Sequence, residues 1–394
     1  MVADKQLEFV KFKNIIKRLL FIVGLWTKDD SNLIHRSLLH IYLSLFLIPI
    51  VGVFNFFITN ITNISLATRS LSIILGFSTV MIKAACFIIN RKDVDDLHMV
   101  LDPYFDKLLQ SPEMSNLVLN KVTTFRRWPT FITTFVTIVC ISYAIDPIIF
   151  IINQCRHRIW PIEYNLIFLT IYPWKAQRNS LLYNFCFINE YLLTASMIFI
   201  TSSLDSLYTY YIFQLIGMLR EISYHILTLD KNNSELMIRQ CVDKYEILLK
   251  CCKKVQKIYG PIILWTMNVN AIVLCAVIFQ LSHAKTIPII SMILCSAHAC
   301  LKLIQVYIFA WAGSQLTIES EKFRECIYAA NWVGNNRMKS SIIIMLAQKP
   351  LILRACNLLH VTIDMFVKNL FIFFQVINTT VSCYLLLKTF EQEV

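Results

Sequence analysis

The stretch LLYNFCFINEYLLTASMIFITSSLDSLYTYYIFQLIGML, Leu181 to Leu219, decides how the rest of the chain is read. It is apolar, longer than the ~20 residues that a bilayer-crossing helix needs, and interrupted near its middle by Asp205. One reading is a single long helix extending beyond the membrane. The other is two short crossings parted at the aspartate. The choice fixes the parity of the chain, because every later segment changes side with it.

Composition identifies the surroundings. Of 394 residues 57% are hydrophobic, mean hydropathy is +0.59, and there are seven glycines. A polytopic membrane protein has this composition, and two or three soluble domains do not. Further runs near spanning length occur at 38–58, 71–89, 131–152, 261–281, 287–312 and 370–387. With 181–219 taken as one helix, seven spans are expected. The opening MVADKQLEFVKFKNIIKRLL is charged throughout and has no apolar core with a small-residue cleavage site, so it does not read as a signal peptide. Thirteen cysteines fall largely in apolar runs or basic stretches, and Cys251-Cys252 has no partner at zinc spacing. They read as small buried hydrophobes, with no metal site or cofactor.

Basic residues choose the side. Under the seven-span reading, 27 of the 37 Lys and Arg fall in the N-terminal segment and the 90–128, 220–258 and 313–355 loops, against seven in the opposite loops. Cytoplasmic loops collect Lys and Arg, so the N-terminus is expected inside and the C-terminus outside. Splitting the 181–219 run would put the later basic loops on the wrong side. The net charge of +12 is explained by these loops, and nucleic-acid binding is not expected. A G-protein-coupled receptor has the opposite orientation, and neither Asp-Arg-Tyr after span three nor Asn-Pro-x-x-Tyr in span seven is present. Two sequons, Asn60-Ile61-Thr62 and Asn63-Ile64-Ser65, fall in a loop expected outside.

Two inside loops read as helices. Between Glu235 and Tyr259, Ile238, Cys241, Val242, Tyr245, Leu248, Leu249, Cys252 and Val255 form one apolar stripe, on a helix that continues span four or leads into span five. The segment GSQLTIESEKFRECIYAANW, Gly313 to Trp332, carries five charged residues yet keeps Phe323, Ile327, Tyr328 and Trp332 at helical spacing. RMKSSIIIMLAQKP, Arg337 to Pro350, reads as another amphipathic helix after a Gly334-Asn335-Asn336 turn. Mixed charge on the wet faces favours packing on one another, or on copies of themselves, over lying on lipid.

The order Gly313, Leu316-Thr317, Glu319-Ser320, Tyr328, Trp332, Arg337 and Gln348-Lys349-Pro350, followed by INTTVSCYLLLKT from Ile377 to Thr389, resembles the last third of insect odorant receptors. The resemblance implies a tetrameric, ligand-gated, non-selective cation channel passing monovalent and divalent ions. It further implies co-receptor subunits as partners, this chain being the odour-specific subunit, and no catalysis. The expected place is the plasma membrane, in the dendrites of olfactory sensory neurons. Phe323, Ile327, Tyr328 and Trp332 would then meet the other subunits at a cytoplasmic anchor. The divisions expected are 1–220 for spans one to four with the pocket, 221–260 for a helical extension, 261–312 for spans five and six, 313–355 for the anchor, and 356–394 for the last helix and outer C-terminus.

In the last helix Gln375, Asn378, Ser382 and Thr389 share one face, with Thr379 at its border. A polar stripe in lipid needs a neighbouring helix or water. The resemblance implies that it lines the pore. Leu386 and Phe390 interrupt the stripe and are the expected gate, closing the path by dewetting.

The resemblance also implies a pocket for a small, volatile, apolar ligand in the outer half of spans two, three, four and six. The residues expected there are Leu71, Ile74, Leu75 and Ser78, then Ile141, Ile145 and Ile148, then Phe187, Tyr191 and Thr194, and finally Met292 and Ser296. Intramembrane charges are costly. Asp146-Pro147 is expected to mark a kink, Glu190 is left open between selecting a ligand and holding structure, and Lys302 is expected to pair with an acid or reach an interface. A secondary transporter would need paired halves, and no internal repeat is visible. Enzyme motifs such as H-E-x-x-H and G-x-S-x-G are absent. A taste-type channel of the same superfamily is the near alternative.

Overall fold

The stretch that opens the sequence reading is one uninterrupted helix. The computed structural model describes residues 2–26, 33–160, 162–174, 180–228, 234–282, 289–330, 343, 345–347, 350–371 and 375. In chain order the helices are α1 (Val2–Val23), α2 (Leu33–Leu45), α3 (Leu47–Thr59), α4 (Ile64–Ile89), α5 (Arg91–Leu108), α6 (Pro112–Val118), α7 (Val122–Arg156), α8 (Leu181–Leu227), α9 (Ser234–Ser282) and α10 (Ile289–Ala329). Residues 363–371 begin one more. Five stretches among the described residues are long and apolar enough to cross a membrane: Ser37–Thr59, Leu66–Ile89, Val122–Ile145, Leu181–Leu227 and Leu236–Val277. The chain is thus an all-α, multi-pass membrane protein.

Helix α8 is the column around which the others gather. The Ser180 hydroxyl caps its first turn by accepting from the Tyr183 N–H at 3.2 Å. No Gly or Pro follows until Gly217, so nothing in the sequence breaks the helix at Asp205. Residues 200–222 are buried without a break and meet α1, α7, α9 and α10. Gly217 is needed for close approach, since a Cβ there would lie 2.4 Å from Phe105 on α5.

The basic end of the bundle is thickened by helices outside the spans. In α1, Phe9, Phe12, Ile16, Leu20 and Val23 recur every three or four residues and are all buried. Phe9 packs on Phe105 with ring centroids 5.0 Å apart, and Phe12 meets Tyr210 edge-on at 5.4 Å. In α9, six residues of the expected stripe, Ile238, Cys241, Tyr245, Leu248, Cys252 and Val255, are buried, Val242 and Leu249 are half-buried at its border, and the helix runs on through Pro261 into the fifth apolar run.

Three helices run across the borders drawn from sequence. Helix α10 continues through Gly313, joining the 287–312 run to the charged segment after it. Borders drawn at 220/221, 260/261 and 312/313 therefore fall inside α8, α9 and α10. They mark changes of polarity along rods, and no helix ends there. A short antiparallel hairpin, β1 (Arg354–Ala355) with β2 (Leu359–His360), precedes the last helix. Its three-residue loop places Cys356 and Asn357 at φ of 50° and 60°, a turn closed by the Leu358 N–H donating to the Ala355 carbonyl at 2.9 Å.

The first span bends where its sequence requires it to. Pro49 has no N–H to give the Leu45 carbonyl one turn back. The Asn189 side chain of α8 donates to that carbonyl instead, at 3.2 Å, so the group is not stranded at membrane depth.

Candidate functional site

Helices α4, α7, α8 and α10 enclose a cavity of about 80 Å³. Each helix contributes one face. These are Ile73, Gly76, Phe77 and Val80 from α4; Val136, Val139, Cys140 and Tyr143 from α7; Thr194, Met197 and Thr201 from α8; and His298, Leu301, Lys302 and Gln305 from α10. Spacings of one, three and four residues put every set on a single side of its helix. The space is several times the ~10–15 Å³ that one water needs, and its wall is mostly aliphatic and aromatic.

A segment between α7 and α8 roofs the cavity. Phe168 reaches the lining from it and meets Phe77 edge-on at 4.9 Å. The roof is held by Glu190, whose carboxylate accepts from the N–H groups of Ile167 (2.7 Å) and Phe168 (3.1 Å) and from the hydroxyls of Thr170 (3.3 Å) and Tyr172 (2.8 Å). Glu190 is thus fully engaged in holding a loop. Gly52 lets that loop come close: a Cβ there would lie 2.8 Å from Tyr172, and the Gly52 carbonyl accepts from Ile171 N–H at 2.9 Å.

The floor is ionic. Lys83 Nζ lies 2.6 Å from Asp205 Oδ1, with the two side chains 1% and 2% exposed, and Gln305 Nε2 donates to Asp205 Oδ2 at 3.0 Å. Lys83 also sits over the Phe309 ring, 6.0 Å from its centroid. The break that Asp205 suggests in the sequence is therefore a partner for α4. Lys302 departs from its expectation. It is 4% exposed and lines the cavity, with no acid paired to it among the described residues. Both oxygens of Asp205 are already occupied.

The residues expected from sequence fall on α4, α7, α8 and α10, and mostly on faces other than the ones that line this cavity. Thr194 lines the cavity. Leu71, Ile74, Leu75 and Ser78 are displaced two residues from the lining set of α4, about 200° round the helix. Ile141, Ile145 and Ile148 are 48%, 45% and 42% exposed, on the outward side of α7. Phe187 and Tyr191 meet at 4.8 Å with their rings tilted by 55°, and the Tyr191 hydroxyl donates to the Ala144 carbonyl, tying α8 to α7. Ser296 is half-buried on α10 and outside the lining; the side chain of Met292 lies outside the description. Phe168 and His298 had no signal in the sequence, because only the folded loop and the rotation of α10 bring them in.

The Gly313 stretch has a structural purpose of its own. A Cβ at Gly313 would lie 2.2 Å from the Val361 carbonyl oxygen, so the segment leading to the last helix rests directly on α10. On the same face the Ser314 hydroxyl accepts from Ile363 N–H at 2.8 Å, the Ser320 hydroxyl accepts from Leu351 N–H at 2.8 Å, and Thr317 reaches the Leu351 carbonyl at 3.4 Å. Phe323 stacks on Tyr245 of α9 at 5.2 Å and, with Ile327, is buried inside this chain, whereas Tyr328 is 76% exposed. Trp332 lies outside the described residues. So do Asn378, Thr379, Ser382, Leu386, Thr389 and Phe390; Gln375 is helical and exposed.

The family profile described as 7tm Odorant receptor matches residues 63–374. The chain belongs to the insect odorant receptor family. Its relatives include odorant receptor 82a of Drosophila melanogaster, 21% identical over 379 residues that cover 92% of this receptor and 94% of that one. Odorant receptor 47a of the same fly is 23% identical over 58% of this chain and 60% of its own. Among solved structures, the insect olfactory receptor OR5 from Machilis hrabei superposes with a TM-score of 0.72 at 13% identity, covering 95% of this chain and 98% of that one. The same OR5 in complex with eugenol gives 0.73 at 12%, covering 96% and 100%. As a member of this family the receptor is an odorant-binding channel protein and no enzyme.

Proposed function

We propose that the receptor is the odour-tuning subunit of a non-selective cation channel, and that the cavity among α4, α7, α8 and α10 holds the odorant. The observation that carries this is the cavity itself: small, mainly apolar, roofed by a loop, and formed by one face from each of four helices, as a site for a small volatile molecule requires. A neighbour of the same fold captured with eugenol supports a small-molecule site in such a bundle. The chain then crosses the plasma membrane seven times with its basic end in the cytosol, in keeping with the distribution of Lys and Arg.

Four subunits, with co-receptor chains completing the ring, surround a pore lined by Gln375, Asn378, Thr379, Ser382 and Thr389. Leu386 and Phe390 close it. The face of α10 that holds residues 351–363 connects the cavity to this last helix, because His298, Leu301 and Lys302 belong to the same rod. Tyr328 and Trp332 are the anchor residues left to meet other subunits, since Phe323 and Ile327 are used within the chain.

Co-expression with the co-receptor and recording of currents across a volatile panel tests the reading. Val139→Trp, which fills the cavity, abolishes ligand-evoked current while surface display is retained; an unaltered response rejects the site. Leu386→Ala raises current in the absence of ligand, and an unchanged closed state removes that residue as gate.

A further inference from the structure

Two ammonium groups and one carboxylate lie buried at the cavity floor. Lys83 takes one oxygen of Asp205 and Gln305 the other. Lys302 remains: 4% exposed, in the wall of the cavity, without a hydrogen bond or ion pair among the described residues. Its titratable surroundings are Lys83, Asp205 and Cys140, together with His298 one turn away on the same face, and the carboxylate among them is already held by Lys83 and Gln305. An uncompensated charge at membrane depth is costly, and it is retained where it meets a ligand or a path. Lys is also a donor three times over and accepts nothing. Two other polar groups in the wall are already engaged. The Thr194 hydroxyl is spent on the Glu190 carbonyl, and the Gln305 amide on Asp205.

We infer that Lys302 selects the ligand class, docking the carboxylate of a small organic acid whose apolar tail lies against Ile73, Phe77, Val136 and Leu301. The acid supplies the missing negative charge and accepts charge-assisted hydrogen bonds, which are about twice as strong as neutral ones. This rests on the cavity being the odorant site. An ester of the same acid keeps the tail and the carbonyl but loses the charge, and a hydrocarbon loses both.

The test compares a carboxylic acid, its methyl ester and the matching alkane on cells expressing the full chain with the co-receptor. Wild type opens to the acid at a concentration ~10-fold or more below that for the ester. Lys302→Met removes that preference while the ester still opens the channel. If the substituted chain is silent to every compound, Lys302→Arg decides: retained acid preference upholds the inference, and lost preference overturns it. Equal potency of acid and ester in wild type overturns it, as does a preference that survives Lys302→Met. Failure of the cavity reading looks different, because Val139→Trp would then leave all responses intact.

Discussion

Asp205 and Lys83 show how much a single buried group matters. With both side chains almost fully buried and 2.6 Å apart, removal of the carboxylate strands an ammonium in the bundle. Asp205→Asn is expected to cost ~3–5 kcal/mol, read as lowered thermal stability of the detergent-solubilised chain. Replacing both by apolar residues, Lys83→Met with Asp205→Leu, recovers much of that loss, which a double-mutant cycle measures. Sequence shows Asp205 as an interruption of an apolar run. It cannot show the partner, which lies 122 residues earlier on α4. Gly313 is the reverse case. Its position after an apolar run is visible, but its purpose is a contact with the Val361 carbonyl, 2.2 Å from where a Cβ would sit. Gly313→Ala should destabilise by ~1–3 kcal/mol through overpacking, seen in the same thermal assay.

Helices were legible from apolar runs, and their inner faces were not. In water a hydrophobic stripe marks the buried side, but lipid is as apolar as a helix interior, so Ile141 and Val139 give the same signal. That is why Ile141, Ile145 and Ile148 were assigned to a pocket and stand instead on the outward side of α7. At the basic end, where water returns, the stripe of α9 from Ile238 to Val255 is legible: six of its eight residues are buried, and Val242 and Leu249 are half-buried. Element ends followed the same logic: α10 has no breaker but Gly313, which a helix tolerates at ~1 kcal/mol. Two joints between elements can be tested. Asn189→Leu leaves the Leu45 carbonyl unpaired at Pro49 and should cost ~1–3 kcal/mol, with lower thermal stability as the measure. Ser320→Ala together with Ser314→Ala frees the segment 351–363 from α10 and is expected to lower the maximal ligand-evoked current without changing the order in which volatiles are preferred.

Across the molecule, the end rich in Lys and Arg is also where helices outside the spans are tied together by ions. Burial alone would lift the Asp102 carboxyl, but the His98 ring 3.7 Å away and hydrogen bonds from Tyr210 and Gln214 outweigh it and hold it below the usual range. Burial acts likewise on Glu319, where Arg220, 2.8 Å away, and Lys322 hold it low. Both folded values lie below the unfolded ones. The stability these groups contribute is complete above the ordinary carboxylate range of ~4 and is lost as pH falls through the folded values. Thermal unfolding followed from pH 7 downward should therefore show α5 and the end of α10 loosening first in acid. Asp102→Asn flattens the part of that decline that Asp102 causes.

Helix α8 spans 47 residues, ~70 Å along its axis, with no hinge residue before Gly217. A tilt of one degree about one end shifts the other by ~1 Å over that length. Thr194 and Met197 touch the cavity near one end of this shaft, and Arg220 grips Glu319 of α10 near the other. Geometry alone thus enlarges a sub-ångström adjustment at Thr194 and Met197 into a larger displacement at Arg220 and, through its ion pair, at Glu319 of α10.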